Sequence, residues 1–270
     1  SASIDTLKVL VESAWPREHS FAAIEEANKR AKVWVDELKT EARVDLRNLP
    51  LVTIDGKDAR DFDDAVYARI EGKNIRLWVA IADVSHFVIP KTQLDLEAYE
   101  RSTSVYFPDF VVPMLPEVLS NGVCSLVPNE DRACLYVEMS ISPQGKILDW
   151  EFGEGLMKSH FRLTYELMQA FIEKEDWALT ELKNVDENLE ALIHAYTRLR
   201  GAKERRGAID LDIPEAQVIL KPSGEILDIQ PRTRLDAHRL IEECMLAANE
   251  CAARFLHEIR KEGVYRIHEE

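Results

Sequence analysis

An acidic segment between two apolar runs constrains this chain more than any other feature. Five aspartates stand within ten residues: Asp55, Asp58, Asp61, Asp63 and Asp64. The runs on either side, at 51–54 and 65–70, have the length and composition of buried strands. Clustered carboxylates repel one another and lose hydration on burial, so folding alone gives no reason to place them there. A bound divalent cation would supply that reason.

At the level of the residues, two interpretations of the acidic segment stay open. Mg²⁺ takes hard oxygen ligands and keeps several of its waters, so a few carboxylates at a strand end suit it. A solvated loop with Asx-turns would hold the same residues without any ion. A calcium loop of the EF-hand type fits poorly, because the sixth position counted from Asp61 is Val66, where that loop needs glycine.

The rest of the pattern predicts an α+β fold, a mixed β-sheet core with flanking helices. Turn residues at 71–74, 142–145 and 222–224 predict three hairpins. The turn at 142–145 joins strands 133–142 and 146–152, and the turn at 222–224 joins strands 217–221 and 225–230. The proline-rich stretch 107–116 cannot be helix interior and should wrap the surface or line a channel. A last strand is expected to begin at 264–267.

Helical periodicity marks four segments: 20–40, 164–176, 187–206 and 235–262. The apolar side of the first is expected to comprise Phe21, Ile24, Ala31, Val35 and Leu38. Gly207 should stop the third helix, and Gly263 should cap the fourth.

Composition bounds the class of protein. With 270 residues, 46% of them hydrophobic, the chain suits one large domain or two small ones. Its apolar runs fall short of the ~20 residues of a membrane span. The four cysteines show no CxxC spacing, which disfavours zinc, and reduced thiols fit a cytoplasmic location. A net charge of −15 is unusual for a nucleic-acid binder, so charge alone does not predict RNA.

Further motifs follow the acidic segment in a fixed order: 83–87, 103–108, 112–116, 119–126 and 241–249. Together with it they resemble the catalytic (RNB) domain of the ribonuclease II/ribonuclease R exoribonucleases, and ribonuclease R more closely. The resemblance covers roughly residue 45 to the end. It implies a helical arm at 1–50 and, at 51–270, the N-terminal part of an RNB catalytic domain that is truncated on its C-terminal side.

The resemblance also implies a function. It predicts a Mg²⁺-dependent, processive 3′→5′ exoribonuclease that hydrolyses RNA to nucleoside 5′-monophosphates, with Mn²⁺ as a possible replacement for Mg²⁺. The expected partner is the 3′ end of single-stranded RNA, with no membrane involved and a cytoplasmic location. Relatives carry cold-shock and S1 domains, which we do not find in this sequence.

Residue roles carry over position by position. Asp55, Asp61, Asp63 and Asp64 match the four catalytic aspartates of the family, which hold the metal ions. Successive strand residues point to opposite sides, so Asp63 and Asp64 can converge only if a bulge or turn lies at Phe62–Asp63. Asp58 matches no family ligand, and we expect it at the surface.

Three more positions match residues that contact RNA in the family. Tyr106 falls where an aromatic ring stacks on the 3′-terminal base, although a place in the hydrophobic core is an alternative. Leu211 lies near the place of an opposing phenylalanine, which puts a two-sided aromatic clamp in doubt. Glu242 matches a glutamate near the terminal nucleotide, with a structural salt bridge as the alternative. Asp83 and His86 follow a buried strand and could line the site.

Two rival functions remain. A catalytically inactive RNA-binding or scaffold relative would keep the fold and lose hydrolysis, but all four matching aspartates are present. A metal-dependent phosphohydrolase for small nucleotides is disfavoured by the channel-type segment around Tyr106.

Overall fold

The structure is a computed structural model that describes residues 8–9, 12, 17–37, 42–108, 110–208, 216–231 and 233–265. The helices are α1 (Phe21–Glu37), α2 (Val84–Phe87), α3 (Gln93–Arg101), α4 (Tyr165–Ile172), α5 (Asp176–Glu181), α6 (Asp186–Arg205) and α7 (Asp236–Glu258). The strands are β1 (Val44–Asp45), β2 (Val52–Asp55), β3 (Asp64–Glu71), β4 (Asn74–Ala82), β5 (Val105–Tyr106), β6 (Val111–Val112), β7 (Asp131–Ile141), β8 (Ile147–Lys158), β9 (Phe161–Thr164), β10 (Ala216–Leu220) and β11 (Ile226–Pro231). An irregular helical turn at Val118–Val123 is broken at Gly122.

The chain forms two units, each built from separate stretches of sequence. The first unit combines Ser1–Ala42, Asp83–Ser125 and Leu211–Thr233. The second unit combines Arg43–Ala82, Leu126–Asp210 and Arg234–Glu270. Each is described by itself below.

A seven-stranded mixed sheet is the framework of the second unit. Its strand order is β1-β8-β7-β4-β3-β2-β9. The two edge pairs, β1 with β8 and β2 with β9, are parallel, and the inner pairs are antiparallel. The predicted hairpins at 71–74 and 142–145 join neighbouring strands of this sheet. The α+β prediction with a mixed sheet is therefore confirmed.

Alternating residues bury one face of this sheet beneath helices. Along β4, Ile75, Leu77 and Val79 are buried in one hydrophobic cluster with residues of α4, α6 and α7. The period of two along the strand places these three side chains on the same face. Asn188 of α6 fixes the register of helix on sheet, because its Oδ1 accepts from Ala68 N at 2.9 Å and its Nδ2 donates to Pro50 O at 2.9 Å.

The tip of the β7–β8 hairpin packs so tightly on α6 that only glycine fits there. Gly145 has φ of +74°, and a Cβ built on it would lie 2.0 Å from the carbonyl oxygen of Arg198. We expect Gly145→Ala to lower the free energy of unfolding by about 2–4 kcal/mol, measured by urea denaturation.

Gly72 is the matched control for that prediction. It has φ of +59°, but a Cβ there would meet nothing within 4 Å. Gly72→Ala should therefore show only the conformational penalty, about 1 kcal/mol. Equal losses in the two variants would contradict a steric role for Gly145.

In the first unit α1 packs against α3 and the turn at 118–123, and the predicted apolar side of α1 proves wrong. Ala23, Ala27 and Trp34 are buried, whereas the side chain of Phe21 is 81% exposed. Ile24 and Val35 are also exposed, and Leu38 lies outside the described residues. Ala23 and Ala27 allow close approach of the neighbouring elements, and Trp34 fills the space further along the same side, so this side is buried in place of Phe21, Ile24 and Val35.

A buried ion pair within α3 is hydrogen-bonded to the start of α1. Arg101 is only 1% exposed, and its guanidinium lies 3.2 Å from Glu97 Oε1. Glu97 also accepts from the backbone nitrogen and the hydroxyl of Ser20, just before α1 begins. Removing one partner of such a buried pair leaves an uncompensated charge, so both side chains are needed together.

Two helix boundaries differ from the predictions, and both depend on a non-glycine residue in the left-handed conformation. The segment 164–176 is interrupted at Lys174 (φ 63°), where Glu175 N donates to Ala170 O and closes α4 before α5 begins. Helix α7 ends at Glu258, because Arg260 (φ 53°) turns the chain before Gly263 is reached. Val264 and Tyr265 form no strand, and residues 266–267 lie outside the described part.

The remaining predictions of local structure are confirmed. Helix α6 spans Asp186–Arg205, and Gly207 beyond it has φ of +76°. The hairpin β10–β11 forms around 222–224, with β11 exposed along its whole length. The described part of 107–116 is extended or irregular, not helical. Within the described residues, we find no helix with the length and apolar character that crossing a membrane requires.

Candidate active site

The acidic segment connects two neighbouring strands of the large sheet. Asp55 ends β2 and Asp64 begins β3, and residues 56–63 form the loop between them. The register of β3 with β4 runs without a shift from Asp64 onward. Residues 59–63 are irregular, and neither the expected bulge nor a turn is assigned at Phe62–Asp63. Backbone hydrogen bonds fix the end of the loop, from Ala82 N to Asp63 O and from Leu126 N to Phe62 O, both 2.9 Å.

Asp55 lies in the least favourable electrostatic environment of the loop. Burial and then the charges of Asp64 and Asp63 raise the pKa of Asp55 to about 7, against an opposing effect of Arg162. The charge of Asp61 raises it further. The Oδ2 atom of Asp55 is buried and has no hydrogen-bond partner. A half-buried carboxylate with an unpartnered oxygen and three acidic neighbours is a position that a bound cation would stabilise.

The other carboxylates are coupled to the same cluster. Burial, followed by the charge of Asp63, raises the pKa of Asp64 to about 6. The pKa of Asp63 is also raised, first because surrounding protein atoms restrict its hydration and then by the charge of Asp61. Asp63 is exposed, so solvent screens the charges around it more than those around Asp55 and Asp64. Asp58 is exposed, as expected.

The structure thus brings the four predicted aspartates together, but not as a finished coordination shell. Among the described residues, no group of three or more His, Cys, Asp and Glu side chains has the geometry to hold a metal ion. The donors nevertheless fit Mg²⁺ or Mn²⁺ in chemistry, since they are hard oxygens and one of them is an orphaned buried atom. Like charges without a cation favour separated carboxylates, and short side chains can turn toward an ion when it binds.

Arg162 is a residue of this site that the sequence did not reveal. It lies on β9, where it pairs in register with Thr53 of β2. Its Nη2 donates to the carbonyl oxygens of Gly56 at 2.9 Å and Lys57 at 2.7 Å. A lone arginine in a strand has no pattern that marks it, because its partners depend on the parallel pairing of β2 with β9.

Tyr106 lies on β5 of the first unit, and the alternative of a core position is wrong. Its side chain is 65% exposed, and it pairs across a two-residue ladder with Val111. An exposed ring at this position can be reached by a base for stacking, whereas a buried one cannot. Leu211, expected near an opposing wall, lies outside the described residues.

Glu242 takes part in ion pairs, as the structural alternative for this residue predicts. Its carboxylate contacts the guanidinium of Arg234, and Lys203 Nζ lies 3.6 Å from its Oε1. Asp83 and His86 have local partners in the first unit. Asp83 caps α2 by accepting from Ser85 Oγ at 2.6 Å, and His86 Nε2 lies 3.2 Å from Glu37 Oε2.

The fold and the acidic loop define the class of protein. The chain matches the RNB domain over residues 43–270, and it belongs to that family. Among curated relatives it is 47% identical to ribonuclease R of Escherichia coli over 256 residues, which is 94% of this chain and 31% of that protein. It is 49% identical to ribonuclease R of Vibrio cholerae over 236 residues, which is 87% of this chain and 29% of that protein.

A solved structure agrees with these sequence relatives. The fold matches that of Mycoplasma genitalium RNase R in complex with ribose-methylated single-stranded RNA, with a TM-score of 0.90 and 28% identity. The match covers 99% of this chain and 42% of the other. The chain therefore spans less than a third of the length of these curated relatives and under half of the solved one.

Proposed function

We propose that this chain is the N-terminal part of the catalytic domain of a 3′→5′ exoribonuclease of the ribonuclease R type. The observation that carries the proposal is the electrostatic coupling of Asp55 to Asp64, Asp63 and Asp61, together with a buried, unpartnered oxygen on Asp55. Neighbouring carboxylates that are partly buried and repel one another lower the stability of the fold, so a purely structural role does not explain them. The family membership and the ribonuclease R relatives supply the substrate class, RNA.

The proposed metal ligands are Asp55, Asp61, Asp63 and Asp64. Divalent ions bound there, Mg²⁺ or Mn²⁺, supply charge neutralisation at the scissile phosphate, a water of lowered pKa and stabilisation of the leaving 3′-oxygen. The role of the chain is to hold several carboxylates at one place, which the strand ends of β2 and β3 accomplish. The released product is a nucleoside 5′-monophosphate.

For substrate binding we propose that Tyr106, Glu242 and Leu211 contact the 3′-terminal nucleotides of single-stranded RNA. Processive action is part of the proposal, because stacking and phosphate contacts ignore base identity and permit stepwise movement. All four cysteines are buried thiols outside any disulfide, which suits the reducing cytoplasm that we propose as the location.

A catalytically inactive RNA-binding relative is the rival within the same family. It would bind RNA without consuming it, and the test is hydrolysis in a hybrid protein. In the hybrid, this chain replaces the 256-residue stretch that it matches in E. coli ribonuclease R. We expect Mg²⁺-dependent loss of single-stranded RNA that EDTA stops. A folded hybrid that binds RNA and leaves it intact would favour the rival.

Tyr106→Ala in the same hybrid should slow the last cycles of degradation more than the first and lengthen the limit product. A lost stacking contact of ~1–3 kcal/mol is a larger share of binding when only a few nucleotides remain. Product ladders on denaturing gels measure the effect. Tyr106→Phe keeps the ring and should restore the short product.

Tyr99 is the matched control, an 83% exposed tyrosine of the same unit with no proposed role. Tyr99→Ala should leave the ladder unchanged. If both alanine variants shift the ladder equally, a specific stacking role for Tyr106 is wrong.

A further inference from the structure

A single guanidinium reaches both ends of the acidic loop. At the start of the loop, Arg162 Nη2 donates to the carbonyl oxygens of Gly56 and Lys57, at 2.9 and 2.7 Å. At the far end, the Arg162 guanidinium carbon lies 5.3 Å from the ring centroid of Phe62, the residue before Asp63. The ring itself is buried, so it is a fixed point for the cation to lie against.

Each anchor is next in sequence to proposed ligands. Gly56 directly follows Asp55, and Phe62 stands between Asp61 and Asp63. A contact at each end restricts how far the loop can open under the mutual repulsion of its carboxylates. Arginine suits this task because its planar fork donates to two carbonyl oxygens and lies against an aromatic ring at the same time.

We propose that Arg162 is a positioning residue of the metal centre. It acts through the loop backbone and the Phe62 ring, and holds Asp61 and Asp63 near Asp55 and Asp64 so that the four can converge on an ion. The proposal rests on the proposed function of the loop as a metal site. Arg162 itself is a cation, so it is not a ligand and does not touch the ion.

The sign of the effect on metal affinity separates positioning from simple charge. A positive charge beside a cation site repels the ion, so its removal should tighten metal binding if charge were its only contribution. Loss of the backbone anchors should weaken binding, because the ligands must then be gathered from a looser loop. Replacement of residues that orient metal ligands commonly weakens affinity by about 10- to 100-fold.

Mn²⁺ titration followed by electron paramagnetic resonance measures affinity without any RNA and without turnover. In this chain we expect Arg162→Gln to bind Mn²⁺ about 10-fold more weakly than the wild type. Arg162→Lys keeps the charge but loses the planar fork, and it should also bind more weakly. Affinity of Arg162→Gln equal to or tighter than that of the wild type would overturn the proposal, and wild-type affinity in Arg162→Lys would contradict the role assigned to the planar fork.

Arg76→Gln is the matched control. Arg76 lies on β4 of the same sheet, and its hydrogen bonds go to Glu71 and Asp149, which are outside the acidic loop. This variant loses one arginine and its ion pairs, and should keep wild-type Mn²⁺ affinity. Cooperative thermal unfolding of each variant establishes that it is folded.

The controls separate the failure of this proposal from the failure of the proposed function. If the wild-type chain binds no Mn²⁺, the loop is not a metal site and the proposed function fails. If the wild type binds and the Arg162 variants bind equally well, only the positioning role is wrong.

If Arg162→Gln does not fold, Phe62→Leu tests the contact between Arg162 and the Phe62 ring from the side of the loop. Unchanged Mn²⁺ affinity in Phe62→Leu would overturn the proposal.

Discussion

Asp63→Asn is expected to reduce RNA hydrolysis by at least about 1000-fold in the hybrid with E. coli ribonuclease R. Asparagine keeps the shape of the side chain but removes the charge that a divalent ion requires. A metal ligand acts on the transition state, whereas affinity for RNA in the ground state comes from many phosphate and stacking contacts. The dissociation constant for RNA should therefore stay within a few-fold of the wild type.

The measurement pairs single-turnover degradation of labelled RNA with a binding titration in Ca²⁺ or EDTA. Asp58→Asn is the matched control, because Asp58 belongs to the same loop, is exposed and matches no ligand of the family. It should degrade RNA at close to the wild-type rate. Near-normal turnover by Asp63→Asn, or an equal loss in both variants, would contradict a metal-binding role for this part of the loop.

Asp55→Asn should make the metal-free chain more stable and insensitive to Mg²⁺. The wild-type carboxylate is half-buried, has one oxygen without a partner and is repelled by three acidic neighbours. At pH 8 the neutral amide removes this repulsion, and after allowance for solvent screening we expect a gain of about 1–2 kcal/mol in the free energy of unfolding.

The response to Mg²⁺ should change in the opposite direction. An ion that binds only the folded state stabilises it by about 2.7 kcal/mol when its concentration is 100 times the Kd. The wild type should therefore gain in melting temperature on addition of Mg²⁺ at constant ionic strength, and Asp55→Asn should gain little. Asp149→Asn, an exposed carboxylate of β8 outside the loop, is the control for a general charge effect. Equal Mg²⁺ responses in wild type and Asp55→Asn would contradict the proposed site.

Features of the fold that depend on residues close together in the sequence could be predicted, whereas features that depend on packing between distant segments could not. The hairpin turns and the alternation along β4 were predictable, because turn residues and a period of two act within a few positions. The convergence of Asp55 and Asp64 was predictable for the same reason, since a short loop joins the two strands. The buried face of α1 was not, because the choice between alanines and larger apolar residues depends on how closely a second helix approaches.

Arg162 shows the same limit within the site. It is 106 residues from Gly56, and its contacts exist only because β9 lies parallel to β2 at the edge of the sheet. The ends of α4 and α7 were not predicted, because Lys174 and Arg260 adopt a left-handed conformation that is uncommon for lysine and arginine. Tyr106 could not be placed from its apolar neighbours, since a two-residue strand can turn either side chain to solvent.

The central claim is that this chain contributes the metal-dependent centre of an enzyme that removes nucleotides from the 3′ end of RNA. A time course with the hybrid protein on one RNA, blocked either at its 3′ end or at its 5′ end, tests it most directly. We expect the 5′-blocked RNA to shorten stepwise with release of nucleoside 5′-monophosphates in Mg²⁺, EDTA to stop this shortening, and the 3′-blocked RNA to persist. Degradation of the 3′-blocked RNA, internal cleavage, or activity that survives EDTA would contradict the account.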